Sequence, residues 1–401
     1  MCFRDVFLGN ACHNNQAYAD LCFNALYCTY FSTVILLMSR PTRAILNWSN
    51  FRHNYDIARQ LADGIAYAVI KADGYGHGMV NCARALSAAD GFAVACVDEA
   101  IVLREAGVQR PILVLQGAYD ATEWQLAFEH QLQLVLHHPQ QLAAWHEVAQ
   151  KQPVEIFVKI NSGMNRVGFS LAQADVVLAQ IAADEHLTIK AVMTHFSSAD
   201  EADSSAFRAQ LEQMASRSWP APFTLCNSAA LFRPRAVNSQ TLTDAISRPG
   251  IMLYGGSPLL EKTAAELGLK AVMTLQSELI STHPMTVGER IGYGGDWQAK
   301  RDTHVGVVAI GYGDGYPRHA PSGTPVLVDG VECPLIGRVS MDMITVDITD
   351  HPSAKVGSAV ELWGENLSVD RIATLCGTIS YELFCQLTPR VKRVGQSIEP
   401  L

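Results

Sequence analysis

From about residue 66 the chain alternates two textures. Short, almost wholly apolar runs are separated by stretches in which apolar side chains recur every three or four positions. The runs at 66–70, 91–96, 111–115, 132–136, 154–160, 188–194 and 223–226, with a final one near Met252, predict eight strands buried on both faces. The intervening helical patterns are clearest at 98–106, where Gly107 is a stop signal, and at 140–150, 171–183 and 206–214. Strands and helices in strict alternation predict βα units, and eight of them over 66–255 fit an α/β TIM barrel better than an open doubly wound sheet. Beyond about residue 265 the texture becomes strand-rich, punctuated by Gly294-Gly295-Asp296, Gly313-Asp314-Gly315, Asp329-Gly330 and Gly337. Helical patterns there shrink to 370–375 and 382–387. This predicts a mainly β C-terminal domain. The expected division is a (β/α)8 barrel over 38–265 and a β-rich domain over 266–401, with residues 38–47 available to pair with the second domain.

Residues 1–37 read differently. Their charges are Arg4, Asp5 and Asp20, and 21–39 is an uncharged stretch containing Val34-Ile35-Leu36-Leu37. Its length is that of a membrane span, but Asn24, Thr29, Ser32 and Thr33 dilute it. No cluster of positive charge precedes it and no small-x-small cleavage site follows. Met38-Ser39-Arg40-Pro41 reads as a natural start, so the leader is expected to be an atypical upstream extension.

Over the whole chain, 30 Lys and Arg stand against 39 Asp and Glu, a net charge of -9 with no long basic run, which argues against a nucleic-acid partner. The ten cysteines include no Cys-x-x-Cys pair and none has histidine at zinc-site spacing. This predicts reduced thiols, a cytoplasmic protein and no metal site.

The candidate chemistry begins at Lys71, where the apolar run 66–70 meets Lys-Ala-Asp-Gly-Tyr-Gly-His-Gly. A lysine ending a strand is ordinarily a solvated charge. At the rim of apolar surroundings, however, burial disfavours the ammonium form, and a neutral amine can condense with a carbonyl cofactor. In a barrel the strand C-termini form the catalytic face. Lys71, Lys159, Arg166, His195, Ser228 and Arg248 all fall at or just beyond such ends.

With these residues in place the chain resembles the alanine racemases, pyridoxal phosphate enzymes that join a TIM barrel to a C-terminal β domain. The likeness runs from about Pro41 to Val394. It rests on Lys-Ala-Asp-Gly-Tyr-Gly-His-Gly at 71–78, Asn-Ser-Gly-Met-Asn-Arg-Val-Gly-Phe at 161–169, Asn-Ser-Ala-Ala at 227–230 and Arg-Pro-Gly-Ile-Met-Leu-Tyr-Gly at 248–255. Gly-Tyr-Gly-Asp-Gly-Tyr at 311–316, Gly-Arg-Val-Ser-Met-Asp at 337–342 and Tyr381-Glu382 follow in the same order.

The resemblance implies that Lys71 holds pyridoxal 5'-phosphate as an aldimine and is one of two acid/base groups, the other being Tyr293. L- and D-alanine would interconvert by proton exchange on opposite faces of the α-carbon. The family draws this tyrosine from the partner subunit, implying a homodimer with shared sites. His195 would hydrogen-bond the phenol, whose reference pKa of about 10 makes it a sluggish base. Arg248 would face the pyridine nitrogen, donating and never accepting a proton. Tyr75, Ser228, Tyr381 and the backbone amides of Ser228, Gly250 and Ile251 would grip the phosphate. Arg166 would contact the cofactor's phenolic oxygen and the substrate carboxylate, with the Met341 backbone on the other carboxylate oxygen and Tyr312 lining the entrance. Lys159 matches a lysine that many members carry as a carbamate. Two positions depart from the usual pattern: Asn161, where aspartate is common, and Ser340, where many members have cysteine. The implied product, D-alanine, is a cell wall precursor.

Two other readings keep the cofactor. A non-catalytic pyridoxal phosphate carrier shares the barrel but usually lacks the β domain. A decarboxylase of this fold generally presents an acid to the pyridine nitrogen, where Arg248 stands here.

Overall fold

The computed structural model describes residues 40–149, 151–237 and 240–395. The leader at 1–37 therefore lies outside the described residues. Among those described, no helix is long and apolar enough to cross a membrane.

Eight parallel strands form the barrel. In chain order they are β2 (Ile65–Val69), β3 (Gly91–Val94), β4 (Ile112–Val114), β5 (Gln133–Leu136), β6 (Val154–Lys159), β7 (Leu187–Met193), β8 (Phe223–Thr224) and β9 (Ile246–Ser247). From β2 to β8 each strand pairs with the next, and β9 pairs with β2, Ile246 lying opposite Ile65. A parallel bridge between Phe223 and Asp244 and the bond from the Arg248 amide to the Cys226 carbonyl (2.8 Å) draw β8 and β9 together. Every side chain of β3, β4 and β5 is buried, as the unbroken apolar runs require.

The eighth strand differs from expectation. It lies at Ile246–Ser247, and the apolar run near Met252 is a short 3-10 turn, Ile251–Tyr254. The turn is wholly buried because it packs on the helix α1 (Trp48–Leu61). Asn54 of α1 donates to the Leu253 carbonyl (3.0 Å), and Tyr254 donates from the turn to the Val69 carbonyl (3.0 Å).

Around the barrel run α2 (Met79–Ala85), α3 (Val97–Glu105), α4 (Ala121–Glu129), α5 (Pro139–His146), α6 (Leu171–Ala182) and α7 (Ser205–Ala215). Their starts follow capping rules. Asp120 caps α4, a Ser170–Gln173 capping box opens α6, and Ser204 caps α7.

The C-terminal part is built on the long strand β10 (Met273–Met285), which pairs with β11 (Thr303–Val308) and, further along the sheet, with β15 (Ala359–Trp363). Hairpin β12 (Pro325–Val328) and β13 (Val331–Pro334) joins β15, while β14 (Ile344–Asp347) joins β11. The first described strand, β1 (Arg43–Leu46), belongs to this sheet and not to the barrel. It lies antiparallel to β10 and parallel to β16 (Lys392–Gly395). Helices α8 (Val369–Leu375) and α9 (Ser380–Cys385) complete the part, and α9 meets the segment carrying Lys71.

Candidate active site

Lys71 follows β2 directly and opens an uncommon piece of backbone. Ala72, Asp73, Gly74 and Tyr75 all have positive φ, between 47° and 61°, and so wind one left-handed turn. Three of them are not glycine, and each such residue costs roughly 1–2 kcal/mol in this conformation. Local bonds hold the turn. The Ala72 amide donates to Glu99 Oε1 (2.7 Å), whose other oxygen takes the Ala95 amide (2.7 Å) after β3. Asp73 Oδ1 accepts from the Met79 amide at 2.8 Å.

Burial is the main cause lowering the Lys71 ammonium below its usual value, reinforced by Arg166 and opposed by Glu99. Lys159, the last residue of β6, is pushed down to about 8 by burial and by Arg248, Arg166 and Lys71. His195, beyond β7, is held well below its usual value by burial and then by Arg248, Lys159, Arg166 and Lys71, which keeps it neutral. These five basic groups therefore share one electrostatic neighbourhood. The charges acting on Lys159 and His195 are all positive, an arrangement that calls for an anionic occupant.

Arg248 is 4% exposed. Its guanidinium donates to Thr224 Oγ1, to the Thr194 carbonyl at 2.8 Å and to the Leu225 carbonyl at 3.3 Å, which fixes the side chain across β7, β8 and β9.

Arg166 is exposed on a loop pinched at its base, where the Phe169 amide donates to the Lys159 carbonyl and the Asn161 amide to the Phe169 carbonyl (both 2.8 Å). Asn161 Oδ1 takes the Gly163 and Asn165 amides (3.2 and 2.9 Å) and so shapes the arc that carries Arg166. Gly168 closes it at φ 126°, where a Cβ would lie 2.7 Å from the Asn161 nitrogen.

A second group of residues forms a cradle of neutral donors beside the cations. Ser228 Oγ accepts from the Gly250 amide at 2.7 Å. The Tyr75 hydroxyl lies where a Gly250 Cβ would come within 2.8 Å of it, so the bare backbone there allows the close approach. Tyr75 stacks on Tyr254 (centroids 4.8 Å) and tilts against Tyr381 (5.7 Å). Burial pushes the pKa of both Tyr75 and Tyr381 up, which keeps their phenols protonated and able to donate.

Tyr293, Tyr312 and Met341 are placed elsewhere. Tyr293 sits in a tight turn between the ribbon strands Arg290–Ile291 and Trp297–Gln298, and it is 68% exposed. Tyr312 and Met341 lie on adjoining loops, tied by the Tyr312 amide to the Ser340 carbonyl (3.0 Å) and the Gly313 amide to the Met341 carbonyl (2.8 Å). Among the described residues, no hydrogen bond, ion pair or ring contact joins any of the three to Lys71, His195 or Arg166. One chain thus brings together the cations and the cradle and leaves these three on its surface.

Sequence reasoning missed Glu99 and His77. Glu99 sits in the first turn of a helix, where an acid is ordinarily a solvated dipole partner, and His77 stands inside the Lys71 motif with no role attached to it.

Comparison with known proteins agrees with this architecture. The alanine racemase N-terminal domain family matches residues 46–258, and the alanine racemase C-terminal domain family matches 272–395. The chain belongs to the alanine racemase family. Alanine racemase of Chromohalobacter salexigens is 46% identical over 90% of this chain and 100% of its own length. A protein named alanine racemase, catabolic, from Pseudomonas putida is 45% identical over 87% and 97%. The crystal structure of the biosynthetic alanine racemase from Pseudomonas aeruginosa superposes with a TM-score of 0.85 at 42% identity, covering 89% of this chain and 100% of that one. The family is one of enzymes, and its barrel-plus-β architecture is the one found here.

Proposed function

We propose that this enzyme interconverts L- and D-alanine, using pyridoxal 5'-phosphate bound at Lys71. The observation that carries the reading is the convergence of Lys71, Lys159, Arg166, His195 and Arg248 beside the neutral donors Tyr75, Ser228, Gly250 and Tyr381. The donor set fits the group. Cations that outnumber the acids acting on them suit a phenolate and a carboxylate, and protonated hydroxyls with a glycine backbone suit a phosphate.

When bound, pyridoxal phosphate supplies the conjugated electron sink that makes the substrate's α-hydrogen acidic. The chain's own residues do the rest. Lys71, its proton loosened by burial and by Arg166, moves a proton on one face. Arg248, locked by its bonds to Thr224, Thr194 and Leu225, presents a fixed donor to the ring nitrogen and has no basic atom to accept a proton from it. Arg166 offers a planar fork to the carboxylate. Ser228, Tyr75, Tyr381 and the amides of Ser228, Gly250 and Ile251 take the phosphate.

The opposite face requires a second base, and Tyr293 fills that role from a partner subunit. Exposed Tyr293, Tyr312, Met341 and Met343 give the surface large apolar side chains suited to an interface between two copies. Neutral His195 then accepts a hydrogen bond from Tyr293 of the partner subunit, while the partner subunit's Met341 backbone and Tyr312 complete the substrate side. Lys159, at about 8, has an appreciable neutral fraction near pH 7, as reaction with carbon dioxide requires. Its carbamate would set a negative charge beside Arg166.

Subunit mixing tests the arrangement. Lys71→Ala and Tyr293→Phe homodimers should each be nearly inactive in alanine racemisation. Dissociating and reassociating them together should restore about a quarter of wild-type activity, because half of the dimers are mixed and each mixed dimer holds one intact site. No recovery in demonstrated mixed dimers would place both bases in one chain. A wild-type protein saturated with pyridoxal phosphate that leaves alanine enantiomers unchanged would remove the reading altogether.

A further inference from the structure

The left-handed turn after Lys71 ends at His77, a residue the proposed chemistry does not use. His77 has no exposed surface, and its ring packs against Tyr254 (centroids 4.7 Å) and Phe384 (4.9 Å). Its Nδ1 faces two carbonyls of the turn, Tyr75 at 2.8 Å and Gly74 at 3.1 Å. Two acceptors on one ring nitrogen require that nitrogen to carry the proton, so Nδ1–H donates to both. Among the described residues, no protein group reaches Nε2. Burial pushes the ring's pKa down to about 4, so one fixed neutral tautomer persists across the neutral range.

A buried polar atom without a protein partner works against folding, and a phenylalanine would fill the same aromatic slot without it. What phenylalanine cannot do is hold the two carbonyls. Those carbonyls belong to the residues whose positive φ swings Tyr75 towards Gly250 and turns the chain away from Lys71.

We propose that His77 is a positioning residue: its Nδ1–H clamps the left-handed turn so that Lys71 and Tyr75 meet the cofactor in register. The inference rests on the proposed pyridoxal phosphate reading.

Two variants separate these roles. His77→Phe keeps the ring contacts and removes both the donor and the idle nitrogen. His77→Asn keeps a donor near the Nδ1 position and removes the ring. Pyridoxal phosphate affinity is read by titrating the apoprotein and following the visible band of the lysine-bound cofactor, and stability by thermal unfolding of the same apoproteins. His77→Phe should bind at least tenfold more weakly than wild type. His77→Asn should bind within about threefold of wild type while melting lower. Wild-type affinity in His77→Phe would overturn the proposal, as would a tenfold or larger loss in His77→Asn. The second arm decides the matter if His77→Phe does not fold. A wild-type protein that forms no lysine-bound band would instead defeat the cofactor reading.

Discussion

Gly76 is where the turn after Lys71 touches the C-terminal part, and replacing it with alanine gives a perturbation whose size follows from the geometry. Gly76 has φ 75°, and a Cβ there would stand 2.2 Å from the Phe384 carbonyl oxygen and 3.0 Å from its carbon. A carbon and an oxygen in contact need roughly 3.2 Å or more, so one segment must yield by about 1 Å. Both neighbours are backbone. The left-handed conformation costs alanine roughly 1 kcal/mol, and forced overpacking adds about 1–3 kcal/mol. Gly377 separates the two contributions. It has nearly the same φ, 67°, but a Cβ added there would meet nothing within 4 Å. Gly377→Ala should therefore lose only about 1 kcal/mol, and Gly76→Ala about 2–4 kcal/mol, in urea unfolding of the apoprotein. Because Phe384 also packs on His77 and Cys385 acts electrostatically on Lys71, Gly76→Ala should in addition weaken pyridoxal phosphate binding, while Gly377→Ala should not. Equal stability losses in the two variants, with unchanged affinity in both, would refute the reasoning.

Further outcomes follow from the same site. Lys159 carries a folded value of about 8 against roughly 10.4 when unfolded, so the unfolded chain binds the extra proton between those values and the contribution of Lys159 to stability rises with pH across that window. In bicarbonate-free buffer, urea unfolding at pH 8 and pH 10 should show a more positive change of stability with pH in the wild-type apoprotein than in Lys159→Met, a difference that removes the opposite contribution of the buried thiols common to both; identical slopes would count against it. With 13C-bicarbonate, wild type should show a carbamate carbon resonance that Lys159→Met lacks. Asn161→Ala frees the Gly163 and Asn165 amides from their acceptor and should raise the KM for alanine several-fold with less effect on kcat, as expected if the loop places Arg166 for binding. Asp63 accepts from Arg235 at 2.6 Å and from the Asp244 amide at 3.0 Å beside the barrel's closing seam. Asp63→Ala should lower unfolding free energy by about 1–3 kcal/mol and leave substrate saturation unchanged.

Seven of the barrel strands are legible because parallel strands buried on both faces are continuous apolar runs. The eighth is not, because it is two residues long and its neighbourhood is polar: Ser247 donates to Asp244, and Asp244 accepts the Leu225 amide. The apolar run 251–254 misleads for the converse reason. It is as hydrophobic as a strand but follows Gly250 and is buried by packing on α1. That helix is itself obscured by Asn54, a polar residue in the middle of its buried stripe, which is satisfied by the Leu253 and Lys270 carbonyls.

In the site, Lys71, Lys159, His195 and Ser228 are readable from strand ends alone, whereas Arg248 is readable only through its motif, because the two-residue strand before it is not legible. Glu99 and His77 are not readable, since each acts on main-chain groups that any sequence supplies. Tyr293, Tyr312 and Met341 are readable only through their motifs, because no feature of one chain brings them to Lys71.

The placement of β1 has a consequence for biosynthesis. Arg43 to Leu46 is zipped on one side to β10 and on the other to β16, both of which follow the whole barrel in the polypeptide. A ribosome releases β1 long before either neighbour exists, so the barrel's strands can assemble cotranslationally while this early segment waits for late-made partners. Maturation of the second sheet is thereby deferred until Lys392 to Gly395 has been made.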